Sequence, residues 1–154
     1  LQFCSSYFQG EEAMYEKYTR QALPPKEYRE LLGTALCVFN SNNAFIIENV
    51  LSHDIQGSYL WYDLIDRTSG RLLQPIKKTI TSASNENIAS MFECLTEKRN
   101  RIIHSFQVTN AEGEQGLATK DKNHRQYEIT ADFLMQFIKE NEELSSMLHC
   151  FRGY

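Results

Sequence analysis

Apolar residues recur at helical spacing along three long stretches of the chain. The first stretch runs from Pro25 to His53, the second leads up to His104, and the third extends from Thr130 to Gly153. Apolar side chains at every third or fourth position share one face of an α-helix. Proline suits a first helical turn, threonine an N-cap and glycine a C-terminal stop. The pattern therefore predicts three long helices that pack their apolar faces together.

Two shorter helices are predicted between the first two long ones. Ser58 can cap a helix that continues to Ser69, with Gly70 as its left-handed stop. A second helix, around Pro75 to Thr81, has proline in its first turn. The first of these helices is expected to anchor a layer of the bundle through its bulky side chains, which are Tyr59, Leu60, Tyr62, Leu64 and Ile65.

Two other segments carry weaker signals. Residues 1–23 are weakly patterned and only hint at a short helix that ends before Pro24. The polar run 81–85 indicates a loop, in which Ser84 or Asn85 caps the helix that leads to His104. Neither segment changes the count of long helices.

Directly after His104 the apolar period changes from helical to alternating. Residues 110–116 and 123–125 contain turn-forming side chains. An alternating pattern between turns is typical of β-strands, and here it is carried by Phe106 and Val108, Leu117 and Thr119, and Tyr127 and Ile129. The sequence therefore predicts one mainly α-helical domain over residues 1–154, an up-down bundle with a small insert at residues 105–129 that is either a β-hairpin or three-stranded.

Composition and charge are those of an ordinary globular domain. Hydrophobic residues make up 42% and charged residues 23% of the 154 residues. The formal net charge is −4. Affinity for the phosphate backbone grows with the number of basic contacts, so this charge excludes a general nucleic-acid coat. Any contact with RNA must therefore be local.

The cysteines and the hydropathy pattern indicate the cellular compartment of the protein. Cys4, Cys37, Cys94 and Cys150 are far apart and form no C-x-x-C pair, which predicts neither a zinc site nor a disulfide framework. The chain contains no apolar run long enough to span a membrane and no export leader. We therefore expect a soluble cytoplasmic protein with reduced thiols, no metal and no cofactor.

Arg99 stands where the helical pattern asks for an aliphatic side chain. The apolar face of its helix contains Ile88, Phe92 and Leu95 before it and Ile102 after it. A buried unpaired charge costs several kcal/mol, so this arginine needs a carboxylate, a phosphate or a route to water. An arginine that reaches water from the helix edge is one interpretation. A carboxylate, with Glu93 and Glu97 the nearest in sequence, or a bound anion is the other.

Asn100 and His104 follow on the same predicted helix. They are four residues apart and share a face, while Arg99 lies about 140° around the helix from His104. A bidentate cation, an amide and a group that titrates near neutrality are what phosphodiester cleavage requires. The motif Arg99-Asn100-x-x-x-His104 resembles the R-x4-6-H motif of the HEPN superfamily, whose small helical domains occur in bacterial toxin, phage-defence and CRISPR-linked ribonucleases.

The resemblance covers the chain from about residue 25 to its end. It implies a metal-independent endoribonuclease that works as a homodimer, with the motifs of two protomers forming one composite site. His104 would act on the 2′-hydroxyl or the leaving oxygen, Arg99 would stabilise the pentavalent phosphorane, and Asn100 would position the phosphate. The products would be a 2′,3′-cyclic phosphate and a 5′-hydroxyl.

The same resemblance implies a toxin or phage-defence effector with an antitoxin or another defence-system protein as its partner. One branch of HEPN toxins has a tyrosine two residues after the histidine, which a nucleotidyltransferase partner modifies. This chain has Phe106 at that position. Regulation by that route is therefore not expected here.

Two further groups of polar residues are candidates for substrate binding. The amides Asn42 and Asn43 interrupt the apolar stripe of the first long helix, either as a kink or solvated face or as lining of the Arg99 site. A cationic cluster in the predicted insert either keeps a hairpin edge soluble or guides a substrate strand, and it consists of Lys120, Lys122, Arg125 and His124.

Other chemistries lack a sequence signal. The chain has no phosphate-loop, dinucleotide, zincin or hydrolase-elbow motif. We do not expect a metal site at Asp63, Asp66, Glu93 and Glu97, since Glu97 and Arg101 suit an ordinary ion pair along one helix. The competing class is a non-catalytic HEPN-like module that binds a partner protein or a nucleotide. In that class Arg99, Asn100 and His104 would be separated or held in core salt bridges.

Overall fold

The computed structural model describes residues 14–84 and 87–153, a mainly helical chain with a small antiparallel sheet. A short 3-10 helix at Met14–Tyr18 precedes the first long helix. The five α-helices and three strands are α1 (Lys26–Ser52), α2 (Trp61–Ile65), α3 (Leu73–Ile76), α4 (Asn87–Ile103), β1 (Phe106–Thr109), β2 (Gln115–Lys120), β3 (Gln126–Ile129) and α5 (Ala131–Arg152). The mainly helical class with a β-hairpin insert is thereby confirmed.

The three long helices α1, α4 and α5 build the core around Phe39. Its ring stacks on Phe92 of α4 and on Phe137 of α5, each at a centroid distance of 6.1 Å. All three rings are fully buried. Burying an aromatic side chain of this size removes a large apolar area from water, so these rings are a main source of bundle stability.

Contacts along the helices give their directions. The ring of Phe39 in α1 contacts that of Phe137 in α5. Further along both segments, the ring of His53 contacts that of Phe151, so α1 and α5 run in the same direction. On α4 the order reverses, because Lys98, near its C-terminal end, bonds to Glu140, in the N-terminal half of α5. Helix α4 therefore runs opposite to the parallel pair α1 and α5.

The helix limits follow local signals closely. Pro25 and His53 flank α1. The hydroxyl of Thr130 accepts a hydrogen bond from the Phe133 N–H at the start of α5, and Gly153 ends that helix with a φ of 85°. Both features are ordinary helix caps. The predicted limits of these two helices are confirmed to within one residue. Asn85, one of the two caps expected for α4, lies outside the described residues, as does most of the weakly patterned segment 1–23.

The insert forms a three-stranded sheet in the order β1-β2-β3. Phe106 faces Ala118 across the first antiparallel pair, and Leu117 faces Ile129 across the second. The sheet is tied to α4 by Arg101, whose Nη1 donates to the carbonyl oxygen of Lys120 at 2.9 Å. The hairpin is therefore fixed to the C-terminal end of the helix that carries Arg99.

The segment between α1 and α3 differs from its prediction. The prediction of a single helix from Ser58 to Ser69 is wrong. Helix α2 has five residues, and a 3-10 helix at Ser69–Leu72 follows it. Leu60 rather than Ser58 precedes α2, and Gly70 does not adopt the left-handed conformation. The later short helix begins before Pro75, at Leu73, and continues as a π-type turn to Thr81.

The bulky side chains of this segment do not form the layer predicted for them. Leu64 is buried and Tyr59 packs partly buried against the core, as predicted, whereas Leu60, Tyr62 and Ile65 are exposed. A five-residue helix can turn few of its side chains inward, because successive residues point about 100° apart. Across residues 14–84 and 87–153, none of the helices combines the length and hydropathy that a membrane span needs.

Candidate functional site

Arg99 lies in the wall of an open cavity of about 410 Å³ between α4, α1 and the segment that follows α2. The cavity is mainly polar, and the residues that line it with Arg99 are Asn40, Asn43, Ile65, Asp66, Arg67, Thr68 and Ser69. Helix α4 turns Arg99 inward because this position continues its apolar face. Ser69 comes from the 3-10 helix after α2, and the two asparagines come from the middle of α1.

A short chain of hydrogen bonds holds the arginine in place. Its Nη2 donates to the Ser69 hydroxyl at 2.8 Å, and that hydroxyl donates to Oδ1 of Asn43 at 2.9 Å. Three elements distant in sequence thus meet at one serine oxygen. This chain of hydrogen bonds leaves the amide nitrogen of Asn43 and Nη1 of Arg99 as donors for a ligand in the cavity, whereas Nε of Arg99 is buried.

The electrostatic state of Arg99 is unusual for a charged side chain. Its Cζ lies 5.2 Å from the ring centroid of Phe39, within the range of a cation–π contact. Burial lowers the pKa of Arg99 from its ordinary value. Its Nε is buried and has no hydrogen-bond partner among the described residues. A guanidinium in these surroundings favours an anion, because an anion would satisfy the free donors and compensate the charge.

The carboxylates predicted to hold Arg99 do not do so within the described chain. Glu97 instead pairs with Arg101, at 3.6 Å between Oε1 and Nε. Glu93 is exposed, and no ion pair joins it to Arg99. The partner of Arg99 is the neutral hydroxyl of Ser69, which does not compensate the positive charge. Neither glutamate of the same chain therefore holds Arg99, and its positive charge still lacks a compensating anion among the described residues.

A second guanidinium lines the same cavity. Arg67 lies beside Asp66 in sequence, and its Cζ is 5.9 Å from the ring centroid of Tyr59. Stacking on an aromatic ring fixes a guanidinium at low entropic cost. Together, Arg67 and Arg99 give the cavity two cations and Asp66 one carboxylate.

His104 and Asn100 do not line this cavity. His104 is exposed in the turn that ends α4, and its backbone N–H donates to the Asn100 carbonyl at 2.9 Å. The helical turn therefore continues to His104, which lies about 140° around the axis from Arg99. One chain brings Asn100 and His104 together and separates both from the Arg99 cavity.

The cations of the insert lie on the side of α4 that carries His104. Arg101 bonds to the Lys120 carbonyl and precedes His104 by three residues, about 60° around the helix. The side chains of Lys120, Lys122 and Arg125 are exposed, and Arg125 pairs with Asp121 at 3.6 Å. None of the three lines the Arg99 cavity. They form a surface cluster near the end of the motif helix.

The two candidate amides have different roles. Asn42 is buried, and its Nδ2 donates to the backbone carbonyl of Asn141 at 2.7 Å and to Oδ1 of the same residue at 3.1 Å. This pairing joins α1 to α5 inside the core, so the assignment of Asn42 to substrate binding was wrong. Asn43, the next residue along α1, lies on a different side of the helix and lines the cavity.

Sequence reasoning did not identify Arg67, Thr68 or Ser69. Asn40 belongs to the polar run that interrupts the stripe of α1, so a helical projection of that run was the signal for it. No local pattern marks Ser69 as the partner of Arg99, since the two residues are thirty positions apart.

Within residues 14–84 and 87–153, no group of three or more His, Cys, Asp and Glu side chains is arranged to hold a metal ion. The described cysteines, Cys37, Cys94 and Cys150, are exposed free thiols. No protein-family model, no curated protein and no solved structure matches this chain. The function of this chain is therefore inferred from the chemistry and geometry of its own residues.

Proposed function

We propose that this protein is a metal-independent endoribonuclease of HEPN type, in which the Arg99 cavity binds a phosphate of single-stranded RNA. The observation that supports it is the state of Arg99, a partly buried guanidinium with a neutral hydroxyl as partner and an unpaired Nε. A phosphate oxygen pair matches the planar donors of arginine. Asn43 and Thr68 add neutral donors beside it.

The acid-base step is assigned to His104, with Asn100 beside it. His104 lies on a different side of α4 from Arg99, so the proposal requires a second copy of the chain to complete the site. The surface around His104 suits such a contact, because the flanking Ile103 and Phe106 are 50% and 42% exposed. Apolar side chains exposed beside a functional group are typical of an interface.

In this arrangement the imidazole of His104 takes the proton of the ribose 2′-hydroxyl, whose oxygen attacks the adjacent phosphorus. The 5′-oxygen leaves and takes a proton from the His104 imidazolium, which restores the neutral imidazole and gives a 2′,3′-cyclic phosphate and a 5′-hydroxyl. Arg99 stabilises the charge that develops on the phosphorane oxygens. The HEPN resemblance also supports a cytoplasmic toxin or phage-defence effector whose activity a partner protein restrains.

A second candidate is a non-catalytic module that binds a nucleotide or a partner protein. The separation of His104 from the Arg99 cavity favours it, since one chain does not bring the three motif residues together. The two candidates share phosphate binding at Arg99. They differ in whether bond cleavage follows and whether His104 takes part.

The test is cleavage of a labelled single-stranded RNA by the purified protein with EDTA present. We expect 2′,3′-cyclic phosphate products, and a decrease of about 10²–10⁴-fold in rate for His104→Ala. His149→Ala is the matched control, because this histidine is also exposed and lies on α5, outside the cationic cluster of the insert. Activity that EDTA abolishes, or that His104→Ala leaves unchanged, would mean that the mechanism is wrong. RNA binding without cleavage would favour the second candidate.

A further inference from the structure

An apolar surface adjoins the Arg99 cavity on α2 and the residue before it. Leu60, Trp61, Tyr62 and Ile65 are all exposed, while Leu64 points into the core. We call these four exposed side chains the α2 face. Exposed apolar side chains grouped on one short element mark an interaction site more often than chance placement does.

Two aromatic rings dominate the α2 face. Trp61 is 46% and Tyr62 is 77% exposed, and their ring centroids lie 5.4 Å apart at an interplanar angle of 90°. In this edge-to-face pair each ring keeps at least one face that the other does not cover. Flat, uncovered aromatic faces are the surfaces on which unpaired nucleic-acid bases stack.

The α2 face and the cavity are continuous. Trp61 and Ile65 are four residues apart, so they lie on one side of α2, about 6 Å apart along its axis. Ile65 itself lines the Arg99 cavity. A phosphate held at Arg99 therefore has an aromatic surface beside it for an adjoining base.

The charges near this surface also suit a polyanion. Arg67 and Arg99 line the cavity at the C-terminal end of α2 and outnumber its one carboxylate, Asp66. The acidic side chain within α2, Asp63, lies about 200° around the helix from Trp61 and so faces away from the ring. Cations at the end of an aromatic row are the arrangement that single-strand binding proteins use.

We infer that the α2 face binds unpaired bases of a single-stranded RNA whose phosphate occupies the Arg99 cavity, an inference that rests on the proposed function. In a duplex, stacking between neighbouring base pairs buries the faces of the bases, so the surface selects single strands over duplexes. Stacking accepts any base, and the selection therefore acts on strandedness more than on sequence.

Trp61 makes the test direct, because it is the one tryptophan of the chain. The probe is a short 2′-O-methyl oligoadenylate, which lacks the attacking 2′-hydroxyl and is not cleaved. Its addition to the wild-type protein should quench the Trp61 emission, and the same strand in a duplex should leave the emission unchanged. Quenching of equal size by strand and duplex would overturn the inference.

Variants measure the contribution of each ring. Affinity for the labelled strand, followed by anisotropy, should fall about tenfold in Trp61→Ala and in Tyr62→Ala. Tyr18→Ala is the matched control, since Tyr18 is 83% exposed and belongs to the 3-10 helix at Met14–Tyr18. Tyr62→Ala removes a side chain that is mostly outside the protein, so it keeps the test valid if Trp61→Ala fails to fold.

Two outcomes separate this inference from the proposed function. Cleavage that depends on Arg99 but is indifferent to both ring variants would overturn the inference and leave the ribonuclease intact. If the protein cleaves no RNA, but replacing Arg99 abolishes the quenching of Trp61, the inference is supported and the catalytic step is excluded. A Trp61 emission that shifts with protein concentration in the absence of RNA would overturn it, because a second copy would then cover the α2 face.

Discussion

The guanidinium carbon of Arg99 lies 5.2 Å from the centroid of the Phe39 ring, at the point where the core meets the polar cavity. The same ring stacks on Phe92 and Phe137, so the arginine continues a row of buried aromatic side chains. Arg99 is therefore both a packing residue and the cation of the candidate site. Variants at this position must separate the two roles.

Arg99→Met should make that separation. The thioether keeps an apolar contact with Phe39, and the loss of the bond to Ser69 is opposed by relief of the buried charge. We expect the free energy of unfolding, measured in urea, to change by less than about 1.5 kcal/mol. RNA cleavage should fall by about 10²–10³-fold, as for the loss of one oxyanion donor. A Met variant with full activity would exclude Arg99 from the mechanism.

Arg99→Lys serves as the companion variant. Lysine keeps the charge but loses the two-pronged donor geometry that matches a phosphate. It should therefore recover only part of the activity lost in Arg99→Met. Full recovery would show that a point charge is sufficient, against the bidentate contact proposed for Arg99.

The neighbouring amides Asn42 and Asn43 should respond in opposite ways. Asn42→Ala removes the bonds to Asn141 inside the core, and a buried group left unpaired costs about 1–3 kcal/mol of unfolding free energy. Asn43→Ala removes the acceptor of the Ser69 hydroxyl at the wall of an open cavity, where water can replace it, so stability should fall less than in Asn42→Ala while RNA binding weakens. Urea unfolding and strand binding, measured on both variants, test the pair. Equal losses in both assays for both variants would contradict this division.

Local signals predicted much of this fold, and contacts between distant elements account for the misses. The polar run in α1 left two interpretations open for its amides. The sequence could not decide between them, because Asn42 bonds to a residue of α5 that is ninety-nine positions away. The run 58–70 had the signals of one helix, but its Ser69 hydroxyl bridges Asn43 and Arg99. Helical spacing placed Arg99 on the inner face correctly. It could not show that its partner is a serine rather than a glutamate, because that partner comes from another element.

Tyr28 gives a prediction on pH. Its hydroxyl donates to the Ile129 carbonyl, and burial raises its pKa above the ordinary value of 10.0. Below pH 10 the phenol is neutral in both states, so its full contribution to stability is present. As pH rises through 10, the unfolded phenol ionises first, and stability falls until the folded pKa is passed.

Tyr28→Phe tests this linkage. At neutral pH the variant should lose about 0.5–1.5 kcal/mol with the hydrogen bond. Above pH 10 its unfolding free energy should decline less steeply than that of the wild type. Some alkaline decline will persist, because burial also raises the pKa of Tyr127. Tyr18→Phe, at an exposed position, should show the same dependence of unfolding free energy on pH as the wild type. If the unfolding free energy of Tyr28→Phe also declines in parallel with that of the wild type above pH 10, the linkage is refuted.

The assembly prediction concerns the surface beside His104. Equilibrium sedimentation at micromolar concentration should give a dimer, with the end of α4 near the two-fold axis. Ile103→Glu should raise the dimer dissociation constant by at least about 100-fold, because like charges that face each other across an interface cost several kcal/mol. Ile103 is exposed, so its thermal unfolding should remain near that of the wild type.

Ile55→Glu is the matched control for this variant. Ile55 is fully exposed and follows α1 at the end of the bundle where His53 contacts Phe151, opposite to the C-terminal end of α4. The substitution is the same, so a general effect of added negative charge on association or RNA binding would appear in both variants. We expect a dimer with full activity for Ile55→Glu, and for Ile103→Glu a monomer that no longer cleaves, since His104 would lack the Arg99 cavity of a second copy. A wild-type protein that is monomeric and cleaves RNA would contradict the composite site, because within one chain His104 does not line the Arg99 cavity.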